Sequence, residues 1–337
     1  MTRALVTGGA GFIGTNLASR LVEDGHEVVV LDSLARRGSE RNLHFLRGAY
    51  GKAIRFVHGD VRDAAAVRRA SVGVDRVFHL AAQVAVTTSL EDPVTDFDVN
   101  IGGTLTLLEE LRRLDEPPFL LFTSTNKVYG ALPDLHLALA DGRWLPADRT
   151  LRAHGLSEER PLDFCTPYGC SKGAADQYVL DYAKHFDLPA VVFRMSCIYG
   201  PHQNGTEDQG WVAHFAMRTL EGNPVTVYGD GCQVRDLLFV DDLVEAMQLA
   251  HEHATIVAGR PFNIGGGPEN AVSVGEALDL IGATDVDYSD ERAGDQRYYV
   301  ADTRRFRDAT GWSPLVPVAD GLGRLVRWLA PAEVMAG

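Results

Sequence analysis

Short unbroken apolar runs alternate with longer stretches in which apolar residues recur every three or four positions through the first 125 residues. The runs are Arg3–Val6, Glu27–Leu31, Ile54–Val57, Arg76–Leu80 and Phe119–Thr123. Being continuous rather than alternating, they predict strands covered on both faces. The helical period marks Phe12–Glu23, Asp63–Ala70 and Val94–Leu114, and then Pro167–His185 before a further strand at Ala190–Phe193. Strand and helix in regular succession predict an α/β chain with a doubly wound, mostly parallel sheet.

After Ser196 the pattern loosens. Loops lengthen and Gly, Pro and Asn accumulate, as in 199–205 and 229–235. Such loops on a rigid scaffold are where binding groups collect. The expected division is a Rossmann-type domain over 1–195 with 227–265 interleaved, and a smaller irregular substrate domain over 196–226 and 266–330. Leu237–Val240 and Pro261–Ile264 again read as strands, placed here with the large sheet. The stretch Leu135–Arg160 is an insertion without an assignable pattern.

Composition narrows the function class. The formal net charge is −14, from 32 basic and 46 acidic residues, which argues against a nucleic-acid partner. No apolar run reaches 18 residues, and the N-terminus lacks a signal-peptide pattern, so a cytoplasmic protein without a membrane span is expected. The four cysteines (Cys165, Cys170, Cys197, Cys232) form no C-x-x-C pair and are expected as thiols. No metal site is expected; His251-x-His253 reads as two exposed helix residues.

The first chemical signal is Thr7-Gly-Gly-Ala-Gly-Phe-Ile-Gly14, between the first strand and first helix. Glycines there permit a tight turn and close approach of backbone to a pyrophosphate, and the helix N-terminus offers N–H groups to it. This assigns Gly8, Gly11, Phe12, Ile13 and Gly14 to a dinucleotide. Asp32 closes the second strand about 20 residues on, suited to both ribose hydroxyls of NAD and repulsive to a 2′-phosphate. Arg36-Arg37 offers that phosphate a partner, yet the carboxylate favours NAD. Asp60 and Val61 follow the third strand, with Asp60 placed to accept from an adenine amino group. Leu80, Ala81 and Ala82 follow the fourth; small residues there suit either cofactor approach or simple helix-start packing.

The second signal is Tyr168-x-x-x-Lys172, one turn apart on a helix face. A phenol is a poor base at neutral pH, and a neighbouring ammonium favours its phenolate. Thr125, at the C-terminal end of the fifth strand, is where ligand-facing residues of open α/β sheets lie. Together they predict removal of a proton from a substrate hydroxyl as hydride leaves its carbon.

These motifs resemble the extended short-chain dehydrogenase/reductase family of nucleotide-sugar epimerases and dehydratases. The resemblance rests on the TGGAGFIG turn, Asp32, Gly59-Asp60, His79–Ala82, Asn100, the Thr125/Tyr168/Lys172 trio, Phe193-Arg194, Tyr199-Gly-Pro201 and Val234-Arg-Asp236. It implies NAD as cofactor, with Asn100 added to the cofactor site, and a nucleotide-sugar substrate. It implies Arg235 and Arg292 on the diphosphate, with Gln83, Asn126, Ser196 and Gln209 bordering the sugar and base. A homodimer through helices near 96–114 and 174–185 is implied as well. Segments 34–44, 124–130 and 171–177, with Gln83-Val-Ala85 and Asp208-Gln-Gly-Trp211, resemble the branch that inverts C2 of CDP-hexoses. A 4-epimerase or UDP-sugar decarboxylase uses the same trio and stays open. A 4,6-dehydratase needs an acid and a carboxylate after the catalytic Thr, where this chain has Asn126 and Lys127. A non-catalytic NAD-binding protein would not need the Tyr and Lys.

Overall fold

The computed structural model describes residues 2–292 and 294–330. Seven parallel strands form the central sheet: Arg3–Thr7 (β1), Glu27–Asp32 (β2), Ile54–His58 (β3), Arg76–His79 (β4), Phe119–Thr125 (β5), Ala190–Met195 (β6) and Pro261–Ile264 (β7). Their order is β7-β6-β5-β4-β1-β2-β3. From β1 the chain winds outward through β2 and β3, then returns to place β4 on the other side of β1. That reversal opens a crevice at the C-terminal ends of β1 and β4, with Thr7 paired beside His79.

Alternation along each strand supplies two cores. Val6, Val28, Val30 and Phe193 face the helices Phe12–Glu23, Ser39–Tyr50 and Val240–Glu252, which contribute Leu17, Leu21, Leu43 and Met247. Leu5, Val29, Leu31 and Phe122 face the helices Ala64–Ala70, Gly103–Leu111 and Thr166–His185, which contribute Val67, Leu107 and Val179. Burial on both faces is why these strands read as continuous apolar runs.

Three expectations are corrected. The helix foreseen over Val94–Leu114 is broken: Pro93–Phe97 runs into a π-helical turn, Asp98–Gly102, and then Gly103–Leu111. Thr104 Oγ1 donates back to the Asn100 carbonyl at 2.6 Å, and a Cβ on Gly103 would lie 2.6 Å from Val61 Cγ2. Apolar periodicity does not register a side-chain bond of that kind. Secondly, residues 234–239 do not lie with the large sheet. Val234–Phe239 pairs with Cys197–Tyr199, Ala271–Ser273 and Tyr298–Tyr299 in a smaller mixed sheet, while the following helix and β7 do join the large domain. A strand buried throughout looks the same in either sheet. Thirdly, His251 is not exposed: its ring sits edge-on to Phe119 at 5.4 Å and within 3.4 Å of Arg76 Nη1.

The unassigned insertion forms a hairpin, Leu137–Ala140 with Arg143–Pro146, and a short helix, Arg149–His154. It packs on the smaller sheet, where Leu156 bridges to Ala301. No described helix is long and apolar enough to cross a membrane.

Candidate active site

Gly8 makes the crevice possible. Its φ of +66° is a left-handed conformation, and a Cβ there would stand 2.8 Å from the Ala81 amide nitrogen. The glycine turn therefore lies directly on the end of β4. A side-chain chain fixes that approach. The Thr104 hydroxyl donates to the Asn100 carbonyl, so it accepts from His79 Nε2 at 3.1 Å. His79 Nδ1 then accepts from the Thr7 hydroxyl at 2.7 Å, and Thr7 Oγ1 accepts from the Ala81 N–H at 3.3 Å. Burial pushes His79 down to about 3, so the ring is neutral, as this network requires.

The helix that follows starts at Phe12 with Gly11 as its N-cap and no side-chain cap. Its first N–H groups, from Phe12, Ile13 and Gly14, border a cavity of about 600 Å³. Asp32 lines the same cavity, and its carboxylate accepts from Ala10 N at 3.0 Å and Leu34 N at 2.8 Å. Burial raises its pKa while those two N–H groups oppose the rise. Val61, Leu80, Ala81, Ala82 and Asp60 complete this end; Asp60 is ion-paired to Arg62 at 2.7 Å.

The other end holds the chemistry. Thr125, Asn126, Lys127, Tyr168 and Lys172 line the cavity together, so β5 and the helix Thr166–His185 converge there. Burial dominates the Tyr168 phenol and pushes it up to about 12, against the opposing pull of the nearby Thr125 hydroxyl. Burial pushes the Lys172 ammonium down to about 7, against Asp176 and Asp96, and its Nζ lies 4.1 Å from the centroid of the Phe122 ring. Asn126 is buried, with its Nδ2 donating to Gln296 Oε1 at 3.2 Å.

Other expected residues sit differently. Asn100 is buried and does not line the cavity; its amide clamps both the N–H and the carbonyl of Gln83 (2.9 and 3.1 Å) and holds the loop after β4. Gln83 lines the cavity, with its own amide folded onto Ala85. Ser196 lines it too, but its hydroxyl donates to buried Asp236. Gln209 accepts from Arg36 Nη2 at 2.8 Å, joining the loop after β2 to the loop before Trp211. Arg235 and Arg292 are not among the residues that line the cavity. Arg235 and Lys127 share one oxygen of Asp295 at 2.8 and 3.3 Å, and their charges take that carboxyl to about 2 against the effect of burial. Arg292 lies 3.9 Å over the Tyr228 ring beside Glu207 and Asp208.

A family model, the NAD dependent epimerase/dehydratase family, matches residues 4–265. The chain belongs to that family. It is 41% identical to the CDP-paratose 2-epimerase of Salmonella typhi, over 97% of this chain and 98% of that protein. It is 36% identical to the dTDP-glucose 4,6-dehydratase of Streptomyces griseus, over 97% and 94%. Among solved structures, the UDP-glucose 4-epimerase of Thermus thermophilus in complex with NAD superposes with a TM-score of 0.79, at 33% identity over 98% and 99% of the two chains.

As a member of this family the protein is an enzyme acting on nucleotide sugars, with NAD as its cofactor. The crevice fits that cofactor: a glycine turn in contact with β4, uncapped helical N–H groups for a pyrophosphate, and a carboxylate beside them. Sequence reasoning missed Gln296 and Asp295 as partners of Asn126 and Lys127. Their only signal was polarity within a late loop, and nothing in local spacing brings residue 296 to residue 126.

Proposed function

We propose that the protein is a nucleotide-sugar 2-epimerase acting on a CDP-hexose. The observation that carries the epimerase part of this reading is the Thr125–Tyr168–Lys172 cluster at the end of the cofactor crevice, followed at 126 and 127 by an amide and an ammonium. Bound NAD supplies a hydride acceptor that is regenerated when the hydride returns. Thr125 holds the reacting hydroxyl, and Tyr168 takes its proton as the carbon is oxidised to a ketone. The Lys172 charge stabilises the phenolate meanwhile. After the ketone presents its opposite face, Tyr168 returns the proton and the centre is inverted. In this reading Asp32 holds the adenosine ribose, Gly8, Gly11, Phe12, Ile13 and Gly14 bind the pyrophosphate, and Val61 with Ala81 and Ala82 flanks the cofactor.

Elimination of water across two carbons needs a second acid–base pair. Asn126 has no titrating group, and the neighbouring Asp295 is ion-paired to Lys127 and Arg235. This argues for epimerisation over dehydration despite the dehydratase relative. Inversion at C4 uses the same trio, so the choice of C2 leans on the 41% relative. A homodimer through the helical segments near 96–114 and 174–185 belongs to the same proposal, since Phe97 and Tyr178 expose apolar surface there.

The test is incubation with CDP-hexoses and UDP-hexoses in turn, with products identified by NMR. Inversion at C2 of a CDP-sugar is expected. Turnover of UDP-sugars alone, at C4, would overturn the reading.

A further inference from the structure

The helix Pro93–Phe97 packs on the catalytic helix and carries a carboxylate that the chemistry above does not use. Asp96 is 0% exposed. One oxygen accepts from Asn100 Nδ2 at 3.1 Å, while Oδ2 has no hydrogen-bond partner among the described residues. A buried carboxylate so poorly hydrogen-bonded is tolerated when an opposite charge compensates it.

Few groups are placed to do so. The Asn100 amide that binds Asp96 also donates to the Ser171 hydroxyl at 2.9 Å, which sets Asp96 against the turn of the catalytic helix that carries Tyr168, Cys170 and Lys172, the groups that feel its charge. From the π-helical turn comes only the neutral amide of Asn100. Seen from Lys172, the charged or titratable neighbours are Asp176, Asp96 and His79, the last neutral. Asp176 already has a partner: Arg194 grips it with two bonds, 2.9 and 3.1 Å, and both groups are buried. The buried seam thus holds two cations and two anions: Arg194 is taken by Asp176, and Lys172, which makes no direct ion pair among the described residues, is the cation left to balance Asp96 across the helix contact.

We propose that Asp96 is the counter-charge of Lys172, a positioning residue that keeps the ammonium protonated and thereby sets the pH range over which the Tyr168–Lys172 pair works. The role rests on the reading of that pair as the proton-handling site. Lys172 sits near 7, so a modest change in its surroundings moves its charge across neutral pH. The carboxylate opposes loss of a proton from both Lys172 and Tyr168. Without it, both groups release protons at lower pH.

The chain has four lysines, Lys52, Lys127, Lys172 and Lys184, so lysine labelled with ¹³C at Cε gives a resolvable NMR titration of the NAD-loaded enzyme. The Lys172 signal is identified by its loss in Lys172→Arg. In Asp96→Asn its midpoint is expected to fall by about one unit or more, and Asp96→Glu should restore it toward the parent value. Both limbs of the kcat/KM profile should move to lower pH in the Asn variant. An unmoved Lys172 midpoint overturns the proposal. Should Asp96→Asn fail to fold, the parent decides: the Asp96 ¹³Cγ signal must inflect at the Lys172 midpoint, and a flat signal there overturns the pairing equally. Absence of turnover in the parent would instead strike at the epimerase reading and leave the titration to judge Asp96.

Discussion

Tyr168 and Thr125 carry opposite kinds of risk for function and fold. Both side chains line the cavity, and neither Tyr168→Phe nor Thr125→Val removes volume that the core needs. Tyr168→Phe deletes the oxygen that moves the proton and is expected to cut turnover by about two to four orders of magnitude. Cofactor content, read from the absorbance ratio of the purified protein, should stay at the parent level. A variant that epimerises at the parent rate would remove Tyr168 from the chemistry. Gly8→Ala inverts this pattern. The left-handed φ and the 2.8 Å approach to Ala81 N both forbid a Cβ, so loss of bound NAD and a lower melting temperature are expected, at a cost of about 1–3 kcal/mol. Tyr168, Lys172 and the glycine turn were legible because a fixed local spacing dictates each one. Arg235 and Arg292 were legible as cations, but their settings were not. Asp295 stands 60 residues from Arg235, and Glu207 stands 85 from Arg292, so only the fold pairs them.

Elements that build the central sheet were readable to within a residue or two, because burial on both faces leaves an unmistakable apolar run. The hairpin at 137–146 was not, since its first strand is largely exposed and lacks such a run. It nonetheless organises the substrate side. Trp144 Nε1 donates to Asp230 at 2.7 Å, the Trp144 N–H donates to the Cys232 carbonyl at 2.9 Å, and Arg297 lies 5.0 Å over the indole ring. One side chain therefore ties the loop leading into Arg235 to the loop carrying Asp295 and Gln296. Trp144→Ala deletes a hydrogen bond and a cation–π contact, each worth about 1 kcal/mol. KM for the nucleotide sugar should rise by about tenfold, with NAD content unchanged and kcat little affected. An unchanged KM would show that these loops hold their geometry without the hairpin.

Over the whole molecule, buried histidines set the response to acid. Burial pushes His79 down to about 3 and His251 down to about 4, from an ordinary value of 6.5. Below 6.5 the unfolded chain takes up protons at these positions and the folded chain does not. Folding therefore loses stability as pH falls from 6.5 toward about 4. Asp236 acts in the other direction. Burial raises it to about 6, above its ordinary 3.8, so the folded state binds that proton first and gains stability over the same window. Among the groups with the largest displacements in this window, two histidines oppose one aspartate, so a net loss is the expected slope. Protonation of ordinary surface carboxylates, which relieves the −14 charge, begins near the bottom of this window and does not mask it. The melting temperature should drop steadily between pH 6.5 and about 4.5. His79→Gln isolates the main cause, because a glutamine amide can accept from Thr7 and donate to Thr104 as the neutral ring does, yet cannot take up a proton. That variant is expected to melt lower at neutral pH but with a flatter acid slope. An acid slope as steep as the parent's would mean that the cost of charging His79 in the folded state is not what limits the protein at low pH.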